Sequence, residues 1–211
     1  MSNTYIYIHV CCINDWKDVF NLLIFKIKDS GLYDVTKEIR CCVLGEYDPS
    51  VFTDPKIRIV KSSPHLNLYE KFTLDQLHDD SQSGDFNLLY LHTKGISHTE
   101  PRIRANIKDW VNYMCYFDIY QYRRCIELLK IVDCVGVTLQ EFPRLHFSGN
   151  FWWSTSQYIR KLEKCIVEIH TSTEFWLAEK RLGLYKSLWH TNLNLYGTPY
   201  PREIYSGNVY S

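Results

Sequence analysis

Two short stretches hold the residues whose types and spacing can carry chemistry. In the first, the apolar run Phe86, Leu88, Leu89, Tyr90 and Leu91 gives way abruptly to His92, Thr93, Lys94 and Gly95. A buried strand that ends this way delivers an imidazole, a hydroxyl and an ammonium to one edge of a sheet. In open α/β sheets, ligands bind beyond the carboxyl ends of the strands. Neutral imidazole can ligate a metal, and an ammonium neutralises phosphate as a point charge. In the second stretch, residues 146–153, Ser148, Gly149 and Asn150 lie inside an aromatic segment that closes with Trp152 and Trp153. Indole rings and an amide in one cleft suit a sugar. Neighbouring strand residues face opposite sides, so one indole is expected in the core and the other free to stack on a ring. Asn150 needs a hydrogen-bond partner among its aromatic neighbours.

The elements that must position these residues follow from periodicity. Residues 5–13 are nearly continuously apolar and β-rich, which predicts a central strand. Asn14 is placed to cap a helix with Trp16, Val19, Phe20, Leu23 and Ile27 on one face, stopped at Ser30 and Gly31. Further strands are predicted over 39–44, 56–60, 86–91, 133–139 and 145–153, and a last short one over 184–190. Helices are predicted over 69–77, about 106–131 and 174–181, and Ser154 or Thr155 is placed to cap one after the aromatic strand. Residues 96–104 read as a mobile lid over an anionic ligand or as a solvated connector. Strands alternating with helices argue for a parallel sheet. The pair 133–139 and 145–153 is joined too tightly for a helical crossover, so it is expected to be antiparallel and the sheet mixed. The fold class is thus α/β, a mixed but mainly parallel central sheet flanked by helices.

Composition narrows the function. With 211 residues, one domain over 1–211 is the default, whole or as the N-terminal part of a longer protein. Lys plus Arg and Asp plus Glu are both 24, a balance that argues against general nucleic-acid binding. Aromatic residues reach 15%, which fits a carbohydrate-handling surface and an aromatic core about equally. The eight cysteines include no Cys-x-x-Cys, so zinc-ligand spacing is absent. Buried free thiols in a reducing compartment are the expectation, with no vicinal disulfide at Cys11–Cys12 or Cys41–Cys42. The N-terminus has no basic region and no membrane-length apolar run, which predicts a cytoplasmic protein without a membrane anchor. Dinucleotide, P-loop, zincin and nucleophile-elbow motifs are all missing.

Against those absences a resemblance stands out. The segment from Tyr90 to Gly95 and residues 146–153 resemble GT-A-type glycosyltransferases, most closely those encoded by chlorella viruses, and the likeness covers essentially the whole chain. It implies a GT-A-like fold and an enzyme that moves a hexose-type sugar from a UDP-sugar donor to a glycan acceptor. Viral glycoprotein glycans would be the setting, in the cytoplasm of the host cell. In such enzymes the strand ends in Asp-x-Asp, which holds a divalent cation against the diphosphate. Here His92, Thr93 and Lys94 occupy that place, and no Asp-x-Asp occurs anywhere. The resemblance then implies a cation held by His92, a C-terminal His190 and phosphate oxygens, Mn²⁺ rather than Mg²⁺, or one partly replaced by Lys94. It places His9, Val10 and Cys11 where backbone groups can read the edge of uracil. It places Tyr69 and Lys71 beside the nucleotide, and Ser148 and Gly149 on the wall of the sugar pocket. Glu174, within a capping box that begins at Thr171, is equally the leading candidate for a catalytic carboxylate near the anomeric carbon, with Asn150 beside it and Asp109 and Glu141 behind. A non-catalytic nucleotide- or sugar-binding domain of the same fold is the alternative.

Overall fold

The computed structural model describes residues 3–166 and 172–207. In chain order the elements are β1 (Asn3–Cys11), α1 (Trp16–Asp29), α2 (Leu32–Val35), β2 (Thr36–Leu44), β3 (Ile57–Ser63), α3 (Lys71–Ser81), β4 (Phe86–His92), α4 (Pro101–Asp118), α5 (Tyr122–Leu128), β5 (Cys134–Gly136), β6 (Leu139–Gln140), β7 (His146–Phe147), β8 (Trp152–Thr155), α6 (Ser156–Ile159), α7 (Ser172–Phe175), β9 (Tyr185–Ser187) and α8 (Glu203–Ser206). Seven strands form one sheet in the order β3-β2-β1-β4-β8-β5-β9, and β6 pairs with β7 in a small second sheet. The block from β3 to β4 is parallel, β8 runs antiparallel to both its neighbours, and β5 and β9 are parallel to each other. The fold is α/β with a mostly parallel, mixed sheet flanked by helices, including the antiparallel pair expected from the short connection.

Strand alternation sorts the core into two layers. Ile6, Ile8 and Val10 of β1, Leu89 and Leu91 of β4 and Trp153 of β8 pack with α1, α4 and α5. Tyr5 and Tyr7, Leu88 and Tyr90, and Trp152 pack against α3 and α6 on the other face. In α1, Trp16, Phe20, Leu23 and Ile27 are the buried residues, one stripe at helical spacing.

Several local expectations are corrected. Asn14 does not cap α1: Asp15 holds that position, while Asn14, at φ +50°, donates its amide to the Ile96 carbonyl. The helix expected over 106–131 starts earlier and is broken between Asp118 and Tyr122. The candidate lid over 96–104 is partly helical, and Arg104 ion-pairs with Asp15. The aromatic strand is not continuous: Ser148, Gly149 and Asn150 form a turn between β7 and β8, with φ +92° at Gly149 and +58° at Asn150. The helix expected over 174–181 is the single turn α7, and Thr171, the start of its capping box, lies outside the described residues. Thr155 caps α6 as expected, accepting from the Tyr158 amide. All eight cysteines are free.

Candidate functional site

Strand order fixes where a ligand should enter. From β1 the chain moves outward to β2 and β3, then returns to the opposite side of β1 as β4. The carboxyl ends of β1 and β4 therefore flank the point where winding direction reverses, the usual binding crevice of an open α/β sheet. His9 and His92 are register partners there. The loop after β4 locks onto β1: the Thr93 amide donates to the His9 carbonyl, and the Thr93 hydroxyl accepts from the Cys11 amide.

The centre of the crevice is a carboxylate that sequence reasoning passed over. Glu70 Oε2 accepts from the Tyr90 hydroxyl at 2.6 Å and from Asn150 Nδ2 at 2.7 Å. The other end of the Asn150 amide accepts from Trp152 Nε1 at 2.9 Å. Its neighbours thus orient Asn150 completely, as its aromatic surroundings required. The signal in the sequence was Tyr90: a tyrosine in a fully buried strand needs an acceptor for its hydroxyl, and Glu70 supplies it. Glu70 Oε1 takes no hydrogen bond from a described residue. It lies 3.8 Å from His92 Nδ1, and both side chains keep some exposure, 16% and 12%.

The electrostatics are set by burial. His92 Nε2 donates to the Gly149 carbonyl at 3.0 Å, which leaves Nδ1 as an acceptor facing Glu70. Burial, reinforced by the Lys94 charge, pushes His92 down to about 3. Burial likewise lowers His9 to about 4, with its Nδ1 paired to the Thr73 hydroxyl. Lys94 is only 6% exposed. Its ammonium sits 4.0 Å over the Trp110 ring and 5.8 Å from that of Tyr196, and no described carboxylate forms an ion pair with it. Burial lowers its pKa, while Glu174 and Glu70 pull it back up through space. Glu174 is thus near enough to act on Lys94 and His92, from a half-buried position on α7. A groove of about 800 Å³ runs past Lys94 between the starts of α1 and α4, and a cleft of about 450 Å³ opens at the ends of β2 and β3, beside Gly45, Tyr47 and Ser62.

Several residues sit elsewhere than expected. Trp152 and Trp153 are both fully buried, so neither ring is free to stack on a sugar. Trp152 stacks on Tyr90, and Trp153 donates to the Asp118 carbonyl. The aromatic faces at the site are those of Trp110 and Tyr196 instead. Val10 is wholly in the core, and the Cys11 amide is spent on Thr93, so β1 offers little to read a uracil edge. Lys71 is ion-paired to Asp75 one helical turn on, and Tyr69 is exposed. Ser148 is half-buried and gives its amide to the Thr138 carbonyl. His190 is exposed and bonded to Asn192, with no contact to His92. Among the described residues no three metal-ligating side chains gather. His92 and Glu70 alone fall short of a divalent-cation centre.

No helix among the described residues is long and apolar enough to cross a membrane. A protein family described as a domain of unknown function (DUF8361) matches residues 46–183, more than half of the chain. No curated protein matches.

Proposed function

The chain belongs to the DUF8361 family, and on that premise we propose that it is a GT-A-like glycosyltransferase that takes a hexose-type sugar from a UDP-sugar to a glycan acceptor. The observation that carries this reading is Lys94, a buried cation at the switch-point crevice without an ion-pair partner among the described residues. Burying an unpaired charge is costly, and an anionic ligand offsets that cost. The diphosphate supplies the anion. As the bond between anomeric carbon and diphosphate oxygen breaks, negative charge grows on the leaving oxygen, and the fixed ammonium stabilises it. The acceptor oxygen forms the new bond to that carbon and gives its proton to a carboxylate, for which Glu174 is the candidate. Asn150, buried and held at both ends of its amide, serves this reading by fixing Glu70 rather than by touching the sugar. Mn²⁺ enters this reading only as a companion of the diphosphate, since the protein offers it at most the imidazole of His92 and the carboxylate of Glu70.

The test is calorimetric titration of UDP into the parent and Lys94→Ala, followed by mass spectrometry of glycan acceptors incubated with a panel of UDP-sugars. The variant is expected to lose more than about 1 kcal/mol of binding, the scale of a hydrogen bond to a charged group, and acceptors to gain one hexose mass. Unchanged UDP affinity would refute the role of Lys94. Binding without any transfer would favour the alternative, a non-catalytic nucleotide- or sugar-binding domain.

A further inference from the structure

The gap between Glu70 and His92 is unusual. Oε1 of Glu70 and Nδ1 of His92 are both acceptors, they face each other at 3.8 Å, and each has its other end fixed. Nε2 of His92 must carry the ring proton, because a carbonyl only accepts. Glu70 Oε2 is held twice. Neither atom can turn away to find a donor without breaking those bonds, and at 3.8 Å they are too far apart to bond to each other. Two fixed lone-pair donors across such a gap call for a ligand with two adjacent hydrogen-bond donors.

We infer that this pair is a seat for a vicinal diol, one hydroxyl donating to Glu70 Oε1 and its neighbour to His92 Nδ1. This rests on the UDP-sugar reading and narrows it: the diol is assigned to two free adjacent ring hydroxyls of the transferred sugar, and the ribose of UDP, which carries a vicinal diol of its own, is the other source that the experiment separates. Neighbouring hydroxyl oxygens of a pyranose are spaced by a single carbon–carbon bond, so each can address one of two acceptors this far apart. A divalent cation is the competing occupant, but the Lys94 ammonium already works against positive charge at His92, and no third ligand is present among the described residues. A neutral pair of donors meets no such repulsion. In a sugar linked through its anomeric carbon, the vicinal ring pairs are 2,3 and 3,4. Both contain the 3-hydroxyl, so the seat makes one sharp demand whatever the hexose: the 3-hydroxyl is required.

The experiment titrates UDP, UDP-glucose, UDP-galactose and the 3-deoxy form of each sugar nucleotide into the parent and into Glu70→Gln. That substitution keeps shape but turns an acceptor into a donor, and melting midpoints check that the variant folds. At least one UDP-hexose should bind about tenfold more tightly than UDP, and the 3-deoxy sugar should lose that gain. Glu70→Gln should lose it too, its UDP-hexose binding no tighter than its own UDP binding, whereas an equal loss for UDP and UDP-hexose would put the ribose diol in the seat and overturn the assignment to the sugar. Equal binding of the hexose that shows the gain and its 3-deoxy form overturns the seat while leaving the UDP reading intact, as does a UDP affinity that no sugar improves. Should UDP itself not bind, the reading of the site fails. Saturation-transfer NMR with methyl glucoside against its 3-deoxy form then decides the seat directly, equal signals or none overturning it. Tight Mn²⁺ binding by the protein without UDP, seen by electron paramagnetic resonance and lost in Glu70→Gln, would replace the diol with a cation.

Discussion

At the level of single residues, the crevice is governed by charge states that burial imposes. Lys94 must be protonated to attract phosphate, and burial lowers its pKa. UDP affinity should therefore weaken as pH rises through a window below the ordinary lysine range, and should do so less in Lys94→Arg, whose guanidinium stays charged. Titrations between pH 7 and 10 check this, and a flat parent profile would contradict it. The two histidines act on stability. Each is pushed below its ordinary 6.5, to about 4 for His9 and about 3 for His92. The unfolded chain then binds protons that the fold refuses. The stability they contribute is complete above about pH 6.5 and is lost as pH falls toward those lowered values, by at most about 1.4 kcal/mol per pH unit for each. Melting midpoints from pH 7 to pH 4 should fall less steeply in His9→Gln than in the parent.

At the level of elements, the turn between β7 and β8 holds the site together. Gly149 gives its carbonyl to His92, and its φ of +92° disfavours any side chain. A Cβ there would meet the Met114 sulfur and lie 2.8 Å from Trp110 Nε1, the ring that faces Lys94. Gly149→Ala should cost about 2–4 kcal/mol in urea unfolding, from strain and overpacking together, and should weaken UDP binding in the part that stays folded. This turn also marks where the sequence stopped being legible. The strands β1, β2 and β4 and the stripe of α1 were readable because their apolar patterns match what they bury. The end of β4 at His92 was legible from the abrupt change to polar residues after Leu91, whereas His9 was singled out by the resemblance alone. The break at Ser148–Asn150 was not, because an aromatic run reads as strand whether or not a positive-φ turn interrupts it. Glu70 was missed because nothing local distinguishes it from Lys71 beside it. Its role comes from Tyr90 and Asn150, brought to it by the tertiary fold. Both indoles were expected to alternate faces, and they do, but Trp152 is covered by Tyr90 and Trp176 and Trp153 by the end of α4, which leaves neither exposed.

For the molecule as a whole, one buried acid works against the rest. Asp118 ends α4 with no exposure, and neither carboxyl oxygen finds a partner among the described residues. Burial holds its pKa well above the usual carboxylate range. A raised carboxyl favours the fold at low pH and withdraws that support as the unfolded chain ionises. Asp118→Asn should therefore stabilise the protein by more than about 1 kcal/mol at pH 7 and by progressively less toward pH 4. Paired thermal melts at the two pH values give the comparison, and no gain at pH 7 would show that the carboxyl has found a donor.

The seam between β4 and β8 also sets an order of events in time. Glu70, His92 and Lys94 belong to the part of the chain made first, while Trp110, Gly149 and Asn150 arrive later. The bond that orients Asn150 joins residues 80 positions apart, and it exists only once β8 has docked antiparallel on a finished β4. The parallel pairing of β1 with β4 spans 83 positions of its own, from Asn3 to Phe86, yet every residue it needs is made before β8 exists. A chain emerging from the ribosome therefore carries the lysine and the imidazole long before it can hold a ligand between them, and competence to bind comes last, as the mark of a completed fold.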